Sequence, residues 1–200
     1  MEKIIAASRN ADKIKEIEAI TKRFGMDVIS RDDAGLPEEE VEETGETFEE
    51  NSYIKAKAIW DMTHMTTIAD DSGLEVEYLG GEPGIYSARY AGDECDYNKN
   101  NEKLLTVLEG VPFSERRARF VTVITMIFED GETLVARGEC HGHIIEEQMG
   151  EGGFGYDPVF MPDGYQETFA QLGRDVKNKI GHRAKALEKL VELLEERGKI

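Results

Sequence analysis

Long apolar runs are missing from this sequence. The longest, such as Val121 to Phe128, is broken by threonines and falls far short of the ~20 residues a membrane-spanning helix needs, so no membrane partner is expected. Cysteine is nearly absent as well. Only Cys95 and Cys140 occur in 200 residues, which excludes a disulfide framework, and at this length burial of roughly 70% of the extended-chain surface supports a core without disulfide or zinc staples. No segment reads as a secretory leader, so both thiols are expected to be free in a reducing compartment, by default the cytoplasm. Basic residues are few beside acidic ones: 24 Lys plus Arg against 42 Asp plus Glu leave a net charge of −18. A field of that sign repels polyanions, so nucleic acid is not an expected partner. A small phosphorylated ligand remains compatible, because a divalent metal and a few lysines reverse the potential inside one cleft.

Against those absences stands a chain with clear apolar periodicity, which excludes disorder throughout. Its length suits a single domain over residues 1–200, and no internal repeat appears. Lys3 to Ala7 reads as a buried strand, followed by a helix over 11–24 with Ile14, Ile17, Ile20 and Phe24 on one face. Met26 to Ser30 reads as a second strand and Arg31 to Glu46 as an acidic loop. Thr47-Phe48-Glu49-Glu50 fits a capping box that opens a helix to about Met62, with Ala56, Ile59 and Met62 inward. Thr66 to Ala69 is β-prone, and Asp70-Asp71-Ser72-Gly73 is expected to end it in a turn. A helix over 98–108 places Leu104, Leu105 and Leu108 inward. Two long strands, 118–129 and 132–145, are joined by Asp130-Gly131, a two-residue hairpin signal. A short strand near Pro158 to Phe160 follows, and a helix over 182–197 closes the chain with Leu187, Leu190, Val191 and Leu194 inward.

Several segments have chemistry to weigh. Gly150-x-Gly152-x-x-Gly155 has dinucleotide-fingerprint spacing, but that loop must lead into a helix that receives the pyrophosphate, and Asp157-Pro158 and a strand follow instead. A kinase glycine loop fails too, for want of chain after it. Ser8-Arg9-Asn10-Ala11-Asp12-Lys13 sits where a strand turns into a helix. Helix N–H groups and the Lys13 ammonium could hold phosphate oxygens there, although the segment alone reads more economically as a cap beside a solvated lysine. Asp70-Asp71, with the acidic stretch 38–43, offers hard oxygen ligands for Mg²⁺, which accepts one or two carboxylates plus phosphates and waters; the plain alternatives are a turn and a solvated loop. His141-x-His143 beside Cys140 places two imidazoles on one strand face, but no third ligand is evident and surface histidines are the expectation.

The order of these blocks exceeds what composition explains. Ser8 to Lys13, Glu42 to Asn51, Ala69 to Leu74, Pro83 to Tyr90, Gly152 to Pro158 and Gly181 to Ala184 together make the chain resemble the inosine triphosphate pyrophosphatase family along almost its whole length. The resemblance implies an α/β fold with a long curved mixed β-sheet, flanking helices and two lobes around a central cleft. It implies a homodimer, and hydrolysis of ITP, dITP and XTP to the monophosphate and pyrophosphate with Mg²⁺. By the same resemblance Ser8, Arg9, Asn10, Ala11, Asp12, Lys13 and Lys55 hold the phosphates. Asp71 is the general base and a metal ligand, Glu42 the second metal ligand with Glu43 its nearest rival, and Ser72 a substrate contact. Phe154 stacks on the purine, with Gly155, Tyr156, Asp157, Lys177, His182 and Arg183 completing the base and ribose pocket.

Two positions depart from the family pattern. Arg9 stands where many members have a small residue, and could add a phosphate contact or point away. Gly181 replaces a serine, removing one hydroxyl. A nucleotide sensor without turnover would keep Lys13 and Phe154 but need no water-activating carboxylate, so Asp71 and Glu42 weigh against it. A pyrophosphatase for modified pyrimidines would share the chemistry and differ in the pocket.

Overall fold

The computed structural model describes residues 3–22, 25–37 and 41–199, and leaves the Ile20 side chain undescribed. Strand β1 (Lys3–Ala6) leads into helix α1 (Ala11–Thr21), β2 (Asp27–Ser30), α2 (Phe48–Thr63) and β3 (Thr67–Val76). After two short 3₁₀ turns come α3 (Tyr97–Val107), β4 (Arg117–Ile127), β5 (Thr133–Ile144) and β6 (Phe160–Pro162). The chain ends in three helices, α4 (Phe169–Leu172), α5 (Arg174–Ile180) and α6 (His182–Glu196).

One six-stranded sheet runs in the order β2-β1-β3-β4-β5-β6. It is mixed: β1 pairs in parallel with β2 and β3, whereas β5 and β6 are antiparallel. This is the expected α/β class, a mixed sheet with flanking helices. The chain divides into two compact units, residues 1–71, 122–138 and 183–200 in the first, and 72–121 and 139–182 in the second. The divisions fall within β3, β4 and β5 and at the start of α6.

In the first unit the strand alternation sorts the core onto two faces. Ile4, Ala6, Val28, Ile68, Ile124 and Met126 pack with Ile17 of α1 and with Ala184, Leu187, Leu190 and Leu194 of α6, while Ile5, Ala7, Ala69 and Ile127 pack with Ala56 and Ile59 of α2. In the second unit Leu74, Val76, Ala118, Phe120 and Ile144 pack with Leu104 of α3, with Leu108 at its C-cap and with Tyr156, Phe160 and Phe169.

The structure corrects several local expectations. Residues 70–73 do not turn: β3 runs through them to Val76, with cations distant in sequence pairing with one oxygen of each carboxylate. Met62 is 48% exposed rather than inward, lying past the end of the apolar stripe. The β4–β5 connection is a three-residue loop. Gly131 N–H donates to the Phe128 carbonyl and Phe128 N–H to the Glu132 carbonyl, with Gly131 at φ 82°, a turn closed by a glycine bulge. Thr47 does cap α2 by accepting from Glu50 N–H, but the Glu50 carboxylate accepts from Glu46 N–H rather than Thr47 N–H. Helix α1 ends at Thr21, and Phe24 lies outside the described residues.

Candidate active site

Two constellations emerge, one in each compact unit. In the first, β3 presents Asp70 and Asp71 in succession, and successive strand residues point to opposite faces. Asp70 meets the α1 and α6 side: its Oδ2 lies 3.2 Å from Lys13 Nζ and 3.0 Å from Arg183 Nη2, and Arg183 also pairs with Glu16 of α1. Asp71 meets the α2 side, its Oδ1 3.0 Å from Lys55 Nζ, which also lies 3.0 Å from Glu43 Oε1. Asp71 Oδ2 is buried and accepts from no donor among the described residues.

The charge balance on the two faces differs, and so do the protonation tendencies. Burial would raise Asp70, but Lys13 and Arg183, with Lys55, outweigh it and hold its carboxyl far below the ordinary value. Lys13 in turn is lowered, chiefly by burial, with Lys55 and Arg183 adding to the fall against the pull of Asp70. Around Lys55 the carboxylates are in excess. Burial works against its charge, yet Asp71, Asp70 and Glu43 together raise it. Asp71 receives only a share of that ammonium, so burial, with Glu43 repelling it, leaves its carboxyl raised.

Local structure explains how these groups arrive. Asn10 caps α1 by accepting from Asp12 N–H at 3.0 Å and Lys13 N–H at 3.2 Å, and Ser8 Oγ accepts from Asn10 N–H. Those two helix N–H groups are therefore already engaged, which leaves Lys13 as the main cationic feature of the block. Arg9 points to Asp32, its Nε 3.7 Å from Oδ1. Asp12 is half-buried and Ala11 exposed. The segment holding Glu43 is tied to α2, with Gly45 N–H donating to Asn51 Oδ1 at 2.8 Å. Glu43 faces Lys55, while Glu42 is exposed.

The second constellation is built on the glycine-rich loop. Asp157 Oδ2 accepts from Phe154 N–H at 3.0 Å and from Lys177 Nζ at 2.8 Å. A Cβ on Gly153, at φ 75°, would fall 2.2 Å from that same Oδ2, so only glycine permits the turn. The Lys177 ammonium sits 4.1 Å from the centroid of the half-buried Phe154 ring. Tyr156 is a core residue whose hydroxyl donates to the Ser87 carbonyl at 2.7 Å. Buried His182 stacks on Phe120 at 4.7 Å. Thus His182 belongs with the second unit and Arg183 with the Asp70 ion cluster of the first. Ser72, the half-buried neighbour of Asp71 in the chain, opens the second unit.

The sequence model of the Ham1 family matches residues 4–193. The chain belongs to the Ham1 family. A protein named dITP/XTP pyrophosphatase from Clostridium perfringens is 49% identical over 97% of this chain and 98% of that protein. Another of the same name, from Caldanaerobacter subterraneus, is 48% identical over 97% and 96%. The solved structure of the Staphylococcus aureus Ham1 protein matches with a TM-score of 0.87 at 44% identity, covering 98% of this chain and 100% of that one.

In this Ham1 chain the glycine at 181 has a steric consequence: a Cβ there would lie 2.5 Å from the Lys177 carbonyl oxygen, so a serine requires that backbone to shift. Glu16 escaped the sequence reading, although its spacing from Lys13 places both on one face of α1. His141 and His143 are accounted for by Glu139 at 3.3 Å and by stacking on Phe113 at 4.6 Å, and no group of three metal-ligating side chains occurs among the described residues. No described helix is long and apolar enough to cross a membrane.

Proposed function

We propose that this chain hydrolyses the deaminated purine nucleoside triphosphates ITP, dITP and XTP to the monophosphate and pyrophosphate, clearing them from the nucleotide pool. Identity of 48–49% over 97% of this chain to proteins named dITP/XTP pyrophosphatase supports the reading. The observation that carries the chemistry is Asp71: buried, raised by that burial, anchored to Lys55 through one oxygen and open at the other.

Hydrolysis joins a water oxygen to phosphorus, breaks one P–O bond of the anhydride, and releases pyrophosphate and a proton. The Asp71 carboxylate takes that proton, and burial makes it a stronger base than an ordinary carboxylate. Lys55 fixes the carboxylate's orientation. Lys13 neutralises charge on the phosphates, and neutralisation with positioning is most of what phosphoryl transfer requires. Asp71, with Glu43 or Glu42, offers the hard oxygens that suit Mg²⁺, and the unpartnered Oδ2 fits such a ligand. When bound, the metal would add further neutralisation of the triphosphate. In the second unit, Phe154 offers a stacking face and Lys177 offers donors only, which suit a purine 6-oxo group and oppose the 6-amino group of adenine.

Magnesium dependence, a homodimeric assembly and a cytoplasmic setting belong to the same reading and rest on the family resemblance. A substrate panel tests it. ITP, dITP and XTP should exceed ATP in kcat/KM by at least about 10²-fold. Equal cleavage of ATP and ITP would overturn the assignment.

A further inference from the structure

Helix α3 contributes two side chains to the Phe154 loop that no motif identifies. Tyr97 and Asn101 stand four residues apart and so share one face of the helix. The Tyr97 ring lies 6.2 Å from the Phe154 ring at an interplanar angle of 43°, within the range of favourable aromatic pairs. Asn101 Nδ2 donates to the Gly155 carbonyl at 2.9 Å.

Asn101 is a poor choice for stability. It is 1% exposed, and its Oδ1 is buried and accepts from no donor among the described residues. Such an orphaned acceptor carries a desolvation penalty that an apolar side chain of similar size avoids. Its single donated bond to the loop nevertheless spans 54 residues of sequence. From this we infer that Asn101 and Tyr97 are positioning residues: α3 fixes the Gly155 carbonyl and the Phe154 ring, and thereby sets affinity for the purine rather than the rate of the chemical step. The inference rests on the proposed stacking role of Phe154.

That role gives α3 a distinct kinetic signature. Asp71 and Lys55 belong to the first compact unit, whereas Tyr97, Asn101 and Phe154 belong to the second. Loosening the loop should therefore raise KM and leave kcat within about twofold, because the water-activating group is untouched.

The experiment compares Asn101→Leu, Tyr97→Ala, Tyr97→Phe and Phe154→Ala in full-length protein, using ITP with Mg²⁺, melting curves, and amide hydrogen exchange of residues 152–157 without nucleotide. Asn101→Leu and Tyr97→Ala should each raise KM about threefold to tenfold and speed exchange in the loop. Asn101→Leu removes the orphaned Oδ1 but also frees the half-buried Gly155 carbonyl, so its melting temperature should stay near that of wild type, and Tyr97→Phe, which keeps the ring, should lie closer to the wild-type KM than Tyr97→Ala. Phe154→Ala should raise KM about tenfold to a hundredfold. If Phe154→Ala raises KM while Asn101→Leu and Tyr97→Ala leave KM and loop exchange unchanged, α3 has no positioning role. A fall in kcat equal to the rise in KM would also overturn it. Unchanged KM in Phe154→Ala would instead remove the stacking reading and the inference with it.

Discussion

Replacing Asp71 by asparagine should separate catalysis from stability. The substitution keeps the side chain's size in a strand where Asp71 is 5% exposed, and removes the negative charge and the proton-accepting oxygen. Loss of a positioned acid-base group lowers kcat by at least about 10², or about 2.7 kcal/mol of barrier at 1.36 kcal/mol per tenfold. The effect on stability runs the other way. Breaking a buried ion pair commonly destabilises by about 3–5 kcal/mol when it leaves an uncompensated charge, but here Lys55 retains Glu43 at 3.0 Å. Burial also raises the Asp71 carboxyl, so the folded protein holds its proton more tightly than the unfolded chain does. A group shifted in that direction contributes stability below its unfolded pKa of about 3.9 and loses it as pH rises through the folded value. At pH 7 the ionised carboxylate is then a burden that asparagine lacks. Asp71→Asn should melt at or above wild type at pH 7 in metal-free protein, and the difference should shrink toward pH 4. The assays are pyrophosphate release from ITP and thermal unfolding across pH. Near-normal turnover would refute the catalytic role, and a clear loss of melting temperature at pH 7 would refute the electrostatic reasoning.

The neighbouring carboxylate should behave in the opposite sense. Asp70→Asn leaves half-buried Lys13 and buried Arg183 with less compensation and should destabilise by about 3–5 kcal/mol at pH 7 in chemical denaturation; because the Asp70 carboxyl is held low, this gap should close as pH falls below about 4. Melting at the wild-type temperature at pH 7 would contradict it. Glu43 faces Lys55 beside Asp71 while Glu42 is exposed, so Glu43→Gln should raise the magnesium concentration for half-maximal activity at least about tenfold and Glu42→Gln less than twofold, as read by magnesium titration of activity; the reverse order would make Glu42 the ligand.

Periodic elements were readable from sequence wherever burial is repetitive. Leu187, Leu190 and Leu194 in α6, and Leu104 in α3 with Leu108 at its C-cap, are buried as their spacing predicts. What escaped depends on partners far along the chain. Asp70-Asp71-Ser72-Gly73 has the local composition of a turn, but tertiary ion pairs to Lys13, Lys55 and Arg183 keep it in a strand. The same blindness hid the parting of His182 and Arg183, which are adjacent in sequence yet serve Phe120 and Asp70 respectively. Tyr97 and Asn101 carry no motif, and only the 54-residue separation closed by one hydrogen bond exposes them. The short helices α4 and α5 have too few turns for periodicity to register. Register within Glu42-Glu43 was undecidable from sequence because both are acidic, and the contact that separates them, Glu43 to Lys55, is tertiary.

Product analysis decides whether this chain is a pyrophosphohydrolase in which Asp71 activates water. Purified protein incubated with ITP and Mg²⁺, with products resolved by anion-exchange chromatography, should yield inosine monophosphate and pyrophosphate in equal amounts, and Asp71→Asn should abolish both together. Inosine diphosphate with orthophosphate, or bound ITP recovered intact, would contradict the account.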